Sequence, residues 1–276
     1  MQPKTLERLR VAVQVLTAHN PMTVRQVYYQ LVSRQVIKNN RSMYQAVSNL
    51  LVDARKDGTI PWNWIEDRLR RPRTVSMWSD LSAFSETAKQ AYRRDVWKTQ
   101  TQYVEVWLEK DALSGIFEDV LSDYGVTLNV GRGFDGWDSI RNAAARFKRR
   151  VLTHGDTTVL YFGDFDPSGE DMARSLLERL EFFRVSPEII KCALTMDDIQ
   201  RYQLPTDFTK TTDTRSAAFV AKYGDVAVEL DALALDVLEE RLVTEVEARI
   251  DIGALADVRA QETTDREKLV KLLEAA

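Results

Sequence analysis

The sequence predicts an α/β protein in two parts, a helical domain over residues 1–100 and a parallel sheet flanked by helices over residues 101–276. Three observations carry that expectation. From Tyr103 onward, short apolar runs alternate with amphipathic stretches at helical spacing, the pattern of repeated strand–helix units. Before that point the apolar residues recur at helical spacing. The charge also changes sign at the same place, because residues 1–100 carry 17 Lys and Arg against 8 Asp and Glu, whereas the remainder carries 21 against 34. A chain of 276 residues is long enough for two such domains.

Taken in order, residues 4–18 read as an amphipathic helix with Leu6, Leu9, Val13 and Leu16 on one stripe. Asn20-Pro21 ends it near His19, since the residue before a proline is pushed out of the helical region. Thr23 then caps a second helix, VRQVYYQLVSR, whose apolar stripe of Val24, Val27, Tyr28, Leu31 and Val32 buries Tyr28. At about 100° per residue, Tyr29 falls roughly 140° from Val24, off the core face, with Arg25 one turn before it. By itself Tyr29 is a boundary aromatic with its hydroxyl in water. A third helix from about Ser42 carries Tyr44, Val47, Leu51 and Ala54, and Asp57-Gly58 turns the chain into residues 59–65, too short and aromatic for another helix. Three helices and a hairpin-like wing make a winged helix-turn-helix pattern. Arg68, Arg70, Arg71 and Arg73 follow it directly, placed to neutralise the phosphates of double-stranded DNA, although a charge run is more often a solvated face. Residues 80–100 read as a helical connector with Leu81, Phe84, Ala88 and Tyr92 on its apolar side, and the domain boundary falls near Lys98 to Gln102.

In the second part, Val104, Val106 and Leu108 alternate with Glu105, Trp107 and Glu109, a strand that ends in a carboxylate. A helix through Leu113 to Leu121, a strand near residues 128–130, a Gly131-Arg132-Gly133 turn and a helix through Ile140 to Val151 come next. Arg132, at a strand end, is placed to reach a phosphate or simply faces solvent. The run Val159-Leu160-Tyr161-Phe162 then ends in Gly163 and two aspartates, Asp164 and Asp166, before Pro167-Ser168-Gly169 opens a helix. Residues i and i+2 of an extended chain point the same way, so both carboxylates can face one point. Hard oxygen ligands of this kind suit Mg²⁺. Asp166 before Pro167 is equally a helix N-cap, and Asp164 a turn residue. Sites in parallel sheets gather beyond the carboxyl ends of the strands, where Glu109 joins Asp164 and Asp166. A further strand at residues 189–194 and a long helix from about Asp236 to Ile250 complete the reading.

The composition narrows the chemistry. Only one cysteine, Cys192, and two histidines, His19 and His154, are present, so neither an intramolecular disulfide nor a His/Cys zinc site is expected. No uninterrupted apolar stretch approaches the length of a membrane span, and Met1-Gln2-Pro3-Lys4 leads into a charged helix rather than a signal peptide. A cytoplasmic protein without membrane contact is the expectation.

Two motifs, in this order, resemble one family. Thr23-Val24-Arg25-Gln26-Val27-Tyr28-Tyr29 is similar to the catalytic-tyrosine motif of the A subunit of DNA topoisomerase VI and its meiotic double-strand-break relative. Glu109-Lys110 followed by Asp164-x-Asp166-Pro167-x-Gly169 resembles the Toprim domain of topoisomerases, and the short chain is most similar to the stand-alone forms called mini-A. The resemblance covers most of residues 20–250. It implies a catalytic-tyrosine winged-helix domain followed by Toprim, with Tyr29 as nucleophile and Arg25 assisting at the scissile phosphate. It further implies Mg²⁺, with Mn²⁺ as a substitute, on Asp164 and Asp166, and Glu109 as a metal ligand or general acid/base. Cleavage and rejoining of DNA through a 5′-phosphotyrosyl link would follow, with a homodimer in which each tyrosine works against the other chain's metal site. Glu229 and Asp231 also look like a family motif, of unassigned role. The sequence has no G-x-x-x-x-G-K-[ST] loop, so ATP-driven strand passage would need a separate ATPase B-type subunit. Two other functions fit the same residues: a metal-dependent nuclease that uses water while Tyr29 stands by, and a non-catalytic DNA-binding subunit of a larger complex.

Overall fold

The computed structural model describes residues 2–67, 75–131, 136–207 and 214–274. Arg68, Arg70, Arg71, Arg73 and Arg132 lie outside the described residues. The N-terminal part contains α1 (Pro3–His19), α2 (Val24–Ser33) and α3 (Arg41–Lys56). Asn20 is extended ahead of Pro21 and stops α1 where expected. The buried face of α1 runs through Leu9, Ala12, Val15 and Leu16, whereas Leu6 is 58% exposed and Val13 only partly buried. The expected stripe was therefore rotated, because Leu6 and Val13 sit on one edge of the face that packs on α2 and α3.

A reciprocal cap fixes the start of α2: Thr23 accepts from the Gln26 N–H, and the Gln26 side chain accepts from the Thr23 N–H. Residues 59–65 do not form the expected wing. They contain a 3-10 turn, Trp62–Trp64, closed by the Trp64 N–H on the Pro61 carbonyl, and a single parallel bridge from Met22 to Ile65. Pro61 has no N–H to give to a strand ladder, so the chain turns there. The connector holds α4 (Leu81–Ala91), capped by Asp80, but its expected apolar side is only partly covered: Ala88 and Tyr92 are half-buried, whereas Leu81 is 83% exposed.

The second part is a four-stranded parallel sheet flanked by helices. Its elements are β1 (Gln102–Leu108), α5 (Ser114–Tyr124), β2 (Thr127–Val130), α6 (Trp137–His154), β3 (Asp156–Phe162), α7 (Pro167–Phe182) and β4 (Glu188–Ala193). The strand order is β2-β1-β3-β4 and every pairing is parallel. Successive connections thus leave β1 toward one edge and β3 toward the other, which opens a crevice above the β1/β3 boundary. Helix α6 packs against α7, and α5 against the later helix α10 (Leu235–Glu247). Strand β1 is buried on both faces, as inner parallel strands are. Glu105, which the alternation sets opposite Val104 and Val106, is fully buried; Arg146 grips it through two nitrogens at 2.8 and 2.9 Å, and Tyr103 and Asn129 complete its shell.

Three further helices follow the sheet's pattern without a clear signal in the sequence: α8 (Met196–Arg201), α9 (Ser216–Tyr223) and α11 (Ile252–Glu274). Helix α11 lies along α4, where buried Glu262 accepts from the Arg94 N–H and pairs with Arg259 and Arg266. Among the described residues, no helix is long and apolar enough to cross a membrane.

Candidate active site

The crevice above β1 and β3 is where the carboxylates meet. Glu109 follows β1, and its N–H donates to the Phe162 carbonyl at 2.9 Å, extending the ladder one step past both strands. Its carboxylate accepts from the Asp164 N–H at 2.9 Å and from the Tyr161 hydroxyl at 3.2 Å. Gly163 permits this closeness, since a Cβ there would meet Glu109 Oε2 at 2.7 Å. Asp164 is nearly buried, accepting from the Leu230 N–H at 2.8 Å through one oxygen and pairing with Lys110 at 2.9 Å through the other. Burial pushes its carboxyl up to about 7; Lys110 works against that shift and the Glu109 charge adds to it. Asp166 caps α7 through the Gly169 N–H at 2.7 Å, so the simpler expectation for that residue also holds.

The segment after β4 closes the crevice. An antiparallel bridge between Phe165 and Val228 brings Glu229 and Asp231 beneath the strand ends, and the 3-10 turn Leu230–Ala232 contacts α2. Lys110 Nζ lies 3.4 Å from Glu229 as well as beside Asp164. Burial opposes the Lys110 charge, but Asp164, Asp231 and Glu229 together outweigh it and hold the ammonium above its ordinary range. Asp231 is 2% exposed, and neither of its carboxylate oxygens has a hydrogen-bond partner. Burial raises it to about 6, with Lys110 and Arg25 offsetting part of the shift and Glu229 adding to it.

Tyr29 comes to the same place from the other half of the chain. Tyr28 anchors α2 by donating to Asn39 and accepting from the Asn40 N–H, as the stripe predicts for the packing tyrosine. That leaves Tyr29, half-buried, with Arg25 donating to its hydroxyl at 3.3 Å. Burial, then the Glu229 carboxylate, pushes the phenol up to about 12, against the pull of Arg25. One cavity of about 710 Å³ is lined by Tyr29, Asp164, Asp166 and Glu229.

The structure therefore brings together Tyr29, Arg25, Glu109, Asp164 and Asp166. It adds Lys110, and it sets Glu229 and Asp231, which the sequence marked as a motif of unassigned role, beside that ammonium. Among the described residues, no three His, Cys, Asp or Glu side chains are drawn together closely enough to hold a metal ion. Glu109 and Asp166 are turned to backbone N–H groups instead. The donor set nevertheless suits a hard cation. Five carboxylates, Glu109, Asp164, Asp166, Glu229 and Asp231, gather around Lys110 and Arg25, and both oxygens of Asp231 are buried without a hydrogen-bond partner. No protein-family model, curated protein or solved structure matches the chain.

Proposed function

We propose that this protein is a Mg²⁺-dependent DNA transesterase of the topoisomerase VI A-subunit type, a helical catalytic-tyrosine domain without the expected wing joined to a Toprim domain. The observation that carries the proposal is a cavity shared by Tyr29, Asp164 and Asp166. In the reaction, Tyr29 gives up its hydroxyl proton, its Oη forms a bond to the scissile phosphorus and the bond from phosphorus to the 3′-oxygen breaks. The departing 3′-oxygen takes up a proton, and the 5′ end stays on the tyrosine. One phosphate ester replaces another, so the reverse attack by the 3′-hydroxyl reseals the strand. Arg25, already on the Tyr29 hydroxyl, sets positive charge beside the phosphate as the bond forms. Glu109, Asp164 and Asp166 would hold Mg²⁺, or Mn²⁺ in its place, and when bound the ion supplies charge against the phosphoryl oxygens.

One tyrosine cuts one strand, so a double-strand break needs two copies, and a homodimer on double-stranded DNA belongs to the proposal. Strand passage would draw on a separate ATPase B-type subunit, and the setting would be cytoplasmic. One observation favours a second reading, a nuclease that uses water. Burial and Glu229 hold the Tyr29 phenol protonated, with its pKa near 12, and a protonated phenol is a poor nucleophile. Supercoiled plasmid incubated with Mg²⁺ and stopped in denaturant separates the two. Transesterification leaves DNA attached to protein, and Tyr29→Phe abolishes both cutting and attachment. Cutting without attachment, unchanged in Tyr29→Phe, would establish the nuclease.

A further inference from the structure

We infer that Lys191, on β4, is a positioning residue for the proposed metal carboxylates. It holds the peptide unit between Asp164 and Phe165 so that the carboxylates on either side of that unit serve one cation. The inference rests on the cation site of the proposal, which the transesterase and nuclease readings share. It concerns a side chain on the neighbouring strand that is not itself a proposed ligand.

A peptide unit is planar, so fixing its C=O and N–H fixes the directions in which the chain enters and leaves it. At the acidic tip both groups of one unit are held. The Phe165 N–H donates to the Val228 carbonyl at 2.9 Å, and the Asp164 carbonyl accepts from Lys191 Nζ at 3.1 Å. Among the described residues no other group donates to that carbonyl, which lies against Gly169, where a Cβ would stand 2.2 Å from it. Asp164 precedes this unit and Asp166 follows Phe165, so the setting of the unit governs whether both carboxylates reach the same ion. Metal ligands depend in this way on the groups that hydrogen-bond behind them.

The ammonium is itself held in place. Lys191 pairs with Glu170 in the first turn of α7, and the other oxygen of Glu170 accepts from the Tyr223 hydroxyl at 2.9 Å. The Phe165 ring is buried 5.5 Å from Lys191 Nζ, edge-on to Tyr223 and tilted against Phe219 of α9. Helix α9 is tied to α7 a second time, by Arg215 on Asp171 at 3.1 Å. A run of polar contacts therefore leads from α9 through Glu170 and Lys191 to the main chain of Asp164. The Glu170 pair accounts for the charge of Lys191; its bond to the Asp164 carbonyl links that charge to the ligand segment.

Calorimetric titration of the DNA-free protein with Mn²⁺ tests the inference without any turnover. Lys191→Met keeps most of the stem and removes the donor. In variant protein that circular dichroism shows to be folded, the expected result is Mn²⁺ binding weaker by about 10–100-fold, the usual effect of removing a group behind a metal ligand. Lys191→Arg, which restores a charge and a donor, should recover most of the affinity. Tyr223→Phe removes one hydroxyl farther along the run and should weaken binding in the same direction by less. A folded Lys191→Met that binds Mn²⁺ as the parent does, with only its thermal midpoint lowered, would overturn the inference and leave Lys191 a purely structural residue. Should Lys191→Met fail to fold, Tyr223→Phe decides, and parental Mn²⁺ affinity in that variant would overturn the inference. No Mn²⁺ binding by the unsubstituted protein would remove the cation site and the inference together. The expected losses of affinity in a protein that never becomes attached to plasmid would support the inference and remove only the transesterase reading.

Discussion

Asp231 has the least compensated side chain in the site, a carboxylate with both oxygens unpartnered and its pKa raised to about 6. A raised carboxyl pKa means that the folded state holds the proton more tightly than the unfolded chain. Its contribution to stability is therefore most favourable below about pH 4 and is lost as pH rises through about 6. Asp231→Asn removes the titration. Thermal unfolding should find the variant close to the parent at pH 4 and more stable by pH 7, by about 1–3 kcal/mol, the usual cost of an unsatisfied buried polar group. A gap that narrows toward pH 7 would contradict that assignment. Glu229 acts on its neighbour through charge. Glu229→Gln should lower the Tyr29 pKa from about 12 toward the ordinary phenol value, read as the Tyr29-dependent part of an ultraviolet titration against Tyr29→Phe. None of this was legible locally. Tyr29 and Glu229 are two hundred residues apart in sequence, and no spacing rule links a helix face in one half of a chain to a turn in the other.

The turn between β3 and α7 shows at the scale of elements why small residues punctuate the acidic motif. A Cβ on Gly169 would stand 3.0 Å from the Asp164 carbonyl carbon, in rigid backbone. Gly169→Ala should pry the α7 cap from the strand end and cost roughly 1–3 kcal/mol, the range for forcing extra atoms into packed structure. Urea unfolding would check it, with Ser168→Ala as the neutral comparison. Strand β1 makes the complementary point. The strand and its terminal carboxylate were readable, because Val104, Val106 and Leu108 alternate and Glu109 breaks the run. The fate of Glu105 was not, since alternation predicts a wet face only where one side of a sheet is open. Glu105→Ala should destabilise the protein by roughly 3 kcal/mol, as breaking a buried ion pair does, because Arg146 loses both of its bonds to Glu105 and keeps only the one to Asn129. The wing failed for a similar reason: aromatic residues and a turn suggest a hairpin, but Pro61 sets a 3-10 turn instead.

At the scale of the whole molecule, the alternation of strands and helices and the placing of Glu109, Asp164 and Asp166 at strand ends were legible, because each rests on local pattern. Helix α11 was not, since its key contacts are charges rather than an apolar stripe: Glu262 with Arg94, Arg259 and Arg266, and Asp265 with Tyr92 and Arg94. Those contacts tie the last helix to the connector between the two parts, while α2 meets the rim directly. On the proposed transesterase reading, that contact sets the Tyr29 hydroxyl beside the carboxylate rim, where it would attack the scissile phosphate. The most direct measurement is to trap the protein on DNA with Mg²⁺, digest with protease and nuclease, and identify the modified peptide by mass spectrometry. Transesterification predicts a nucleotide joined through its 5′-phosphate to the Tyr29 hydroxyl. Cut DNA bearing free 5′-phosphate ends, with Tyr29 unmodified, would contradict it.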